Sequence, residues 1–468
     1  MVQMRAVLTF YSMLLAAQDL GVQSKQANEA MAQGRYREAA AAYEKLTAAL
    51  PDNAGLRLNL GLALFEMGEY GRAAVQLNQA TARKPDLQPA WLLLGLSYQK
   101  QDTPKLAIAP LIRALELKPG DGTALLELGD AYLRTGDAWL AMAEFQKLAA
   151  LEAGNPKAWA GLGLSYLELS QAAGKRLERS APGSAWDSAL RAGALVKQKR
   201  WAEAFELYRR AEAVPGAHRS IAAIYRETGH QDWAAIEEAR ESAAALLPWE
   251  ELLVKKRSQS DPESLYWTAR AGQALFEVAA ERLATLPESS ERHELLAQSY
   301  EGQGRRAEAA AEWRAAVKLA AGDARLQGPM ARALWRNREY DQARPLLEAL
   351  AKRQPGTAEW QYLLGDLCYR VGQSDRAVPY LEAALKREPG QVAAHAVLGR
   401  VYMQLGQPPK AIPHLQAALA EDEDGSLHYE LSLAYRRTGQ PELAKAVHVP
   451  PKTGSEVAAP QITPPPQL

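Results

Sequence analysis

Glycine recurs every 34 residues in this chain, at Gly61, Gly95, Gly129 and Gly163 and again at Gly365 and Gly399. An interval held in register over that distance marks stacked supersecondary units, not one globular core. The length of 468 residues agrees, because single cores stop growing well below it. Around each glycine, apolar residues fall at i, i+3, i+4 and i+7, the stripe of a helix with one buried face. Alanine holds the twentieth position of the same register (Ala73, Ala107, Ala141, Ala309, Ala343, Ala377, Ala411). Small residues at these two positions let paired helices approach closely, since a Cβ on the glycine would meet the partner helix. A second set of glycines (Gly34, Gly68, Gly136, Gly229, Gly304, Gly372, Gly406, Gly439) suits the left-handed position after a helix end. Pro51, Pro85, Pro119, Pro355 and Pro389 stop the second helices. The apolar residues lean on Ala and Leu, with only five Phe, so a sheet core has little material.

The fullest copies read Trp91-x2-Leu94-Gly95-x2-Tyr98 followed by Ala107, Leu111, Ala114 and Pro119, and Leu125-x2-Leu128-Gly129-x2-Tyr132 followed by Ala141 and Phe145. Trp159-x2-Leu162-Gly163-x2-Tyr166, Leu364-Gly365 and Leu398-Gly399-x2-Tyr402 repeat the start. This pattern resembles the tetratricopeptide repeat, a helix–turn–helix unit of the same period, over roughly residues 20–448. The resemblance implies an all-α, right-handed superhelical solenoid of about thirteen helix–turn–helix repeats.

Regular units are expected over 20–155 and 290–448. Residues 156–289 are irregular: the turns near 156 and 261 are shortened, and two segments about 105 residues apart look like copies. Residues 249–260 fit no unit and are the expected hinge. Arg5, an apolar stretch over 6–17 and the small pair Ala16-Ala17 predict a signal peptide over 1–17, hence export to the periplasm or envelope, with a capping helix in a cytoplasmic protein as the alternative. The stretch is too short to span a bilayer. The last residues, 449–468, hold six prolines without apolar periodicity and read as a disordered tail. Pro464-Pro465-Pro466 is its best candidate for a groove ligand, although no prolines stand at P-x-x-P spacing.

Charge excludes one large class of partner. Lys+Arg and Asp+Glu balance at 55 each, and the densest basic run, Lys255-Lys256-Arg257, is too short for a nucleic-acid stripe. Cys368 is the single cysteine, which removes an intramolecular disulfide and cysteine zinc sites of the usual spacing. The seven histidines form no H-E-x-x-H, and neither nucleophile-elbow nor phosphate-loop motifs occur. His293, His395 and His428 are expected to pack near the fourth position of their units, and Glu237-Glu238 and 421–424 to be solvated carboxylate clusters. The reading is a non-enzyme without metal or cofactor.

In the family the chain resembles, first helices line the ligand groove through positions 2, 5, 9 and 12. Carried over, the early units place Leu58, Leu62, Phe65, Leu92, Leu96, Leu126, Leu133, Leu164 and Leu167 there. The later ones place Arg332, Trp335, Tyr362, Asp366, Tyr369, Arg400, Met403, Tyr429 and Arg436. An exposed apolar strip fits an amphipathic helix or apolar peptide of another protein; Arg and aromatic residues favour a chemically different segment. The family's carboxylate clamp is not made: Asn28 and Asn59 match, but Ser24, Pro89 and Leu93 replace its basic residues. The asparagine ladder also fails after Asn59, with Leu93, Glu127 and Gly161 following. The function expected is a protein-interaction scaffold, or alternatively a substrate-recruiting subunit of an envelope secretion, pilus or polysaccharide assembly machine.

Overall fold

Asn53 opens the helix Ala54–Glu66 by accepting the Leu56 N–H at 3.1 Å, which satisfies one of the orphan donors of the first turn. Gly68, at φ +77°, reverses the chain into the helix Tyr70–Arg83, and Pro85 follows its end. The two helices meet at Gly61, where a Cβ would stand 2.7 Å from Leu77 Cγ. The same clash would arise at 2.5 Å between Gly95 and Leu111, at 2.5 Å between Gly365 and Leu381, and at 2.7 Å between Gly399 and Leu415. Ala73, Ala107, Ala377 and Ala411 are fully buried from the other side. The glycine–alanine register is therefore a packing device, repeated unit by unit. Asp102 and Arg338 stand where the register puts a turn glycine and adopt φ +58° and +64°, at a cost of roughly 1 kcal/mol each.

The computed structural model describes residues 20–240, 248–256, 260–422, 424–447 and 461–465. Among them all regular structure is helical, with helices packed in consecutive pairs. The chain forms two compact units: one holds the described residues up to Arg176 with those of 248–287, the other holds 177–240 with the described residues from Glu288 onward. In the first, Tyr43, Leu46, Leu60, Leu64, Leu77 and Leu94 make one continuous core. In the second, Trp313, Leu334, Leu347 and Leu364 do the same, and Leu381, Leu398 and Leu415 continue the pattern. Each buried Leu stabilises by about 1.5–3 kcal/mol.

Two of the expected units are not helix pairs. Pro156–Ser180 is a single helix of 25 residues, and Pro262–Ala284 one of 23. Where the sequence reading placed shortened turns, no glycine or proline stands to break the helix, and straight-chain residues carry it through. The two helices pack on one another. Gly272 lies against the Tyr166 carbonyl, where a Cβ would come within 2.7 Å, and Ser170 Oγ donates to Ala269 O at 2.8 Å. The expected hinge is also largely helical: Trp249–Lys256 buries Leu252 and Leu253 and packs against Pro262–Ala284. Residues 257–259 of that segment lie outside the described residues, as do all of 1–17. Of the tail, 461–465 are described, and they are seated: Tyr225 Oη donates to Thr463 O at 2.5 Å. No described helix is long and apolar enough to cross a membrane.

Candidate functional site

Consecutive first helices touch one another in both units, Ala54–Glu66 on Gln88–Lys100 and then Gly122–Thr135, and Gln327–Arg336 on Ala358–Arg370 and then Val392–Gln404. Their outward positions thus form one continuous layer in each unit. In the first unit, Leu58, Leu62, Phe65, Leu92, Leu96, Leu126, Leu133, Leu164 and Leu167 are all half-buried. Leu56, Leu60, Leu94, Leu125 and Leu128 fill the core instead, so the strip is the apolar face left over. It is less free than expected: Leu58 and Phe65 pack on the core, and Phe65 meets Tyr70 edge-on at 5.2 Å. More open apolar residues, Val75, Leu106, Leu140 and Leu151, stand singly on second helices.

Asp130 takes the ninth position in the fourth repeat and interrupts the strip. Gln99 Nε2 donates to it at 3.2 Å and to Glu127 O at 2.8 Å, while Arg134 donates to Gln99 Oε1 at 2.7 Å and pairs with Asp102. Burial, then the Asp130 charge, push the Glu127 carboxyl above its usual range. These polar partners were absent from the sequence reading. The signal for them is the step from position 12 of one unit to position 9 of the next.

The same step builds the second unit's cluster. Trp335 Nε1 donates to Asp366 Oδ2 at 2.9 Å, and Arg370 Nε reaches the same oxygen at 2.5 Å. The Arg370 guanidinium sits 5.8 Å from the Trp335 centroid, and Tyr362 meets Trp335 edge-on at 6.3 Å. Burial and the Asp366 charge push the Tyr362 phenol up to about 12. Asp366 itself is fully buried, with Oδ1 lacking a partner, which corrects its assignment as a residue open to ligand. It orients Trp335 and Arg370. Arg332 lies 3.2 Å from Glu359 Oε1 and 5.8 Å from the Trp360 centroid. Arg400 donates to Glu430 Oε1 at 3.1 Å and Ser426 Oγ at 2.9 Å; burial raises the Glu430 carboxyl against that pairing. Tyr369 is half-buried, and Met403 is a core residue, not a surface one. Tyr429 and Arg436 are exposed. The structure therefore unites Trp335, Tyr362 and Asp366 and sets Arg332 and Arg400 in separate ion pairs.

One carboxylate in each cluster expected to be solvated is structural. Glu237 is fully buried and bonded to Arg209, Arg240 and His218. Asp422 accepts the His428 N–H at 2.8 Å and faces its ring at 2.5 Å. His293 spans Glu312 and Glu288. His395 and His414 share a 2.8 Å contact between ring nitrogens, and burial with His395 beside it lowers the His414 imidazole. Burial raises the Cys368 thiol, which keeps it protonated. Among the described residues no group of three or more His, Cys, Asp or Glu side chains is placed to hold a metal ion.

A family model described as "Tetratricopeptide repeat" matches residues 24–89, 92–156, 329–390, 369–426 and 397–447. No curated protein matches the chain. Among solved structures, "Crystal structure of MamA" is 26% identical, with 30% of this chain and 82% of that one covered and a TM-score of 0.29. "First TPR of Spaghetti (RPAP3) bound to HSP90 peptide SRMEEVD" is 27% identical, covering 25% of this chain and 94% of that one, with a TM-score of 0.25. MamA from Desulfovibrio magneticus RS-1 is 21% identical, covering 31% and 82%, with a TM-score of 0.30.

Proposed function

Because this chain belongs to the tetratricopeptide repeat family, we propose that it is a non-catalytic scaffold holding segments of partner proteins on the first-helix layers of its two units. The observation that carries this reading is the strip of half-buried leucines left after the first unit's core is complete. Leu62, Leu96 and, beyond Asp130, Leu164 take the same position of their repeats, which suits the apolar face of an amphipathic helix. In the second unit the Trp335–Asp366–Arg370 cluster and the Arg400–Glu430 pair offer oriented aromatic and cationic groups. Such groups suit a polar segment of the same or another partner.

Leu62→Asp combined with Leu96→Asp should abolish capture of partners by crosslinking in the native host, with the helical circular dichroism retained. Each buried half-leucine is worth about 1 kcal/mol, so the pair should cost at least ~10-fold in affinity. An unchanged partner set on a folded double variant would sink the strip as a site. Many partners point to a scaffold and one dominant complex to a recruiting subunit of an envelope machine, the reading that export favours. Export itself rests on Arg5 and the apolar residues 6–17. N-terminal sequencing of the mature protein should begin after Ala17, and a retained Met1 would overturn it.

A further inference from the structure

Tyr225 departs from a pattern that four other repeats share. In those four, a tyrosine bonds its hydroxyl to a polar side chain about twenty residues earlier, on the preceding second helix. Asn78 donates to Tyr98 at 3.0 Å, Gln146 to Tyr166 at 3.3 Å and Gln416 to Tyr435 at 2.8 Å, and Tyr402 donates to Glu382 at 2.7 Å. Before Tyr225 that place is held by Phe205, whose ring packs on the tyrosine at 5.5 Å and has nothing to bond. The Tyr225 hydroxyl instead donates to the Thr463 carbonyl of the chain's own tail, 238 residues away.

The tail segment is seated on one face at a spacing of three. Within 461–465, Ile462 and Pro465 are half-buried and Gln461, Thr463 and Pro464 are exposed. A spacing of three is the period of the polyproline II helix, whereas a strand would bury alternate residues. Such helices are read by aromatic surfaces, with their free carbonyls taken by phenol or indole donors. Tyr225 is the centre of one: Trp233 meets it edge-on at 5.5 Å, and His230 stacks on Trp233 at 4.2 Å. Ile462 and Pro465 thus share the spacing of the two prolines in a P-x-x-P ligand.

We propose that the aromatic surface around Tyr225 is a second binding site, for extended partner segments carrying an apolar residue three before a proline, and that residues 461–465 occupy it in cis as a tethered competitor. A tethered segment acts at an effective concentration near millimolar, so an external peptide of equal intrinsic affinity binds weakly until the tail leaves. This site lies in the other unit from the leucine strip and does not depend on it.

The test uses the full chain and a fluorescein-labelled synthetic peptide of residues 459–468, followed by anisotropy. The variant carrying Ile462→Asp and Pro465→Asp should bind the peptide at least ~10-fold more tightly than the unmodified chain, because its own tail no longer competes. Adding Tyr225→Phe to that variant should weaken binding about 3–10-fold by removing one hydrogen bond. Equal binding with and without the tail substitutions, no saturable binding by either, or indifference to Tyr225→Phe would each overturn the proposal. So would a concentration-dependent dimer of the unmodified chain that the tail substitutions dissolve, since the tail would then dock on a second copy.

Discussion

Replacing Glu237 by alanine is expected to lower the unfolding free energy by about 3–5 kcal/mol, read as a shift of the urea midpoint by circular dichroism. The carboxylate is fully buried on the helix Gln231–Arg240. It accepts from Arg209 at 3.1 Å and Arg240 at 3.2 Å and faces His218 Nδ1 at 2.7 Å. Both arginine side chains are only 16% exposed, so removing the anion leaves two guanidinium groups close together with little water to solvate them. Its neighbour is the control. Glu238 is 48% exposed and pairs with Arg226, itself 40% exposed, and Glu238→Ala should cost less than ~1 kcal/mol. Equal losses from the two substitutions would show that the network around Glu237 does not hold this helix pair.

That contrast marks what the sequence could and could not disclose. Glu237 and Glu238 are identical letters side by side, and only the helical phase set by packing against Ala217–Glu227 sends one inward. The 34-residue register, by contrast, encodes steric contacts between fixed positions. Gly61 against Leu77 and buried Ala73 were therefore legible in the sequence. The loss of a turn at Tyr166 was not, because missing punctuation reads equally as a short turn or as none until a partner helix such as Pro262–Ala284 covers the extra length. At the candidate site, register placed Trp335, Tyr362 and Asp366 on one layer. It could not show that Asp366 is buried, since that depends on its contact with Trp335 of the preceding repeat. The seat of the tail on Tyr225 is further still from sequence, joining residues with no shared period.

Gly161→Ala is expected to destabilise the first unit by about 1–3 kcal/mol, although alanine is the better helix former by about 1 kcal/mol. The reason is Phe145, which is 2% exposed and inserted between two glycines. A Cβ on Gly129 would stand 2.7–2.9 Å from its ring and one on Gly161 2.4–2.5 Å. The chain's other repeats serve as internal comparisons. Where leucine takes the place of Phe145, as at Leu77, Leu111 and Leu381, one glycine suffices, and the position matching Gly161 carries Leu93, Glu127 and Val397. The second glycine is thus required by the larger ring and not by the backbone. In a Phe145→Leu background, Gly161→Ala should then be neutral or stabilising by up to ~1 kcal/mol, giving a coupling of about 2 kcal/mol in a double-mutant cycle measured by urea unfolding. Additivity within ~0.5 kcal/mol would show that the ring and the glycine are independent, and that the repeat tolerates phenylalanine for some other reason.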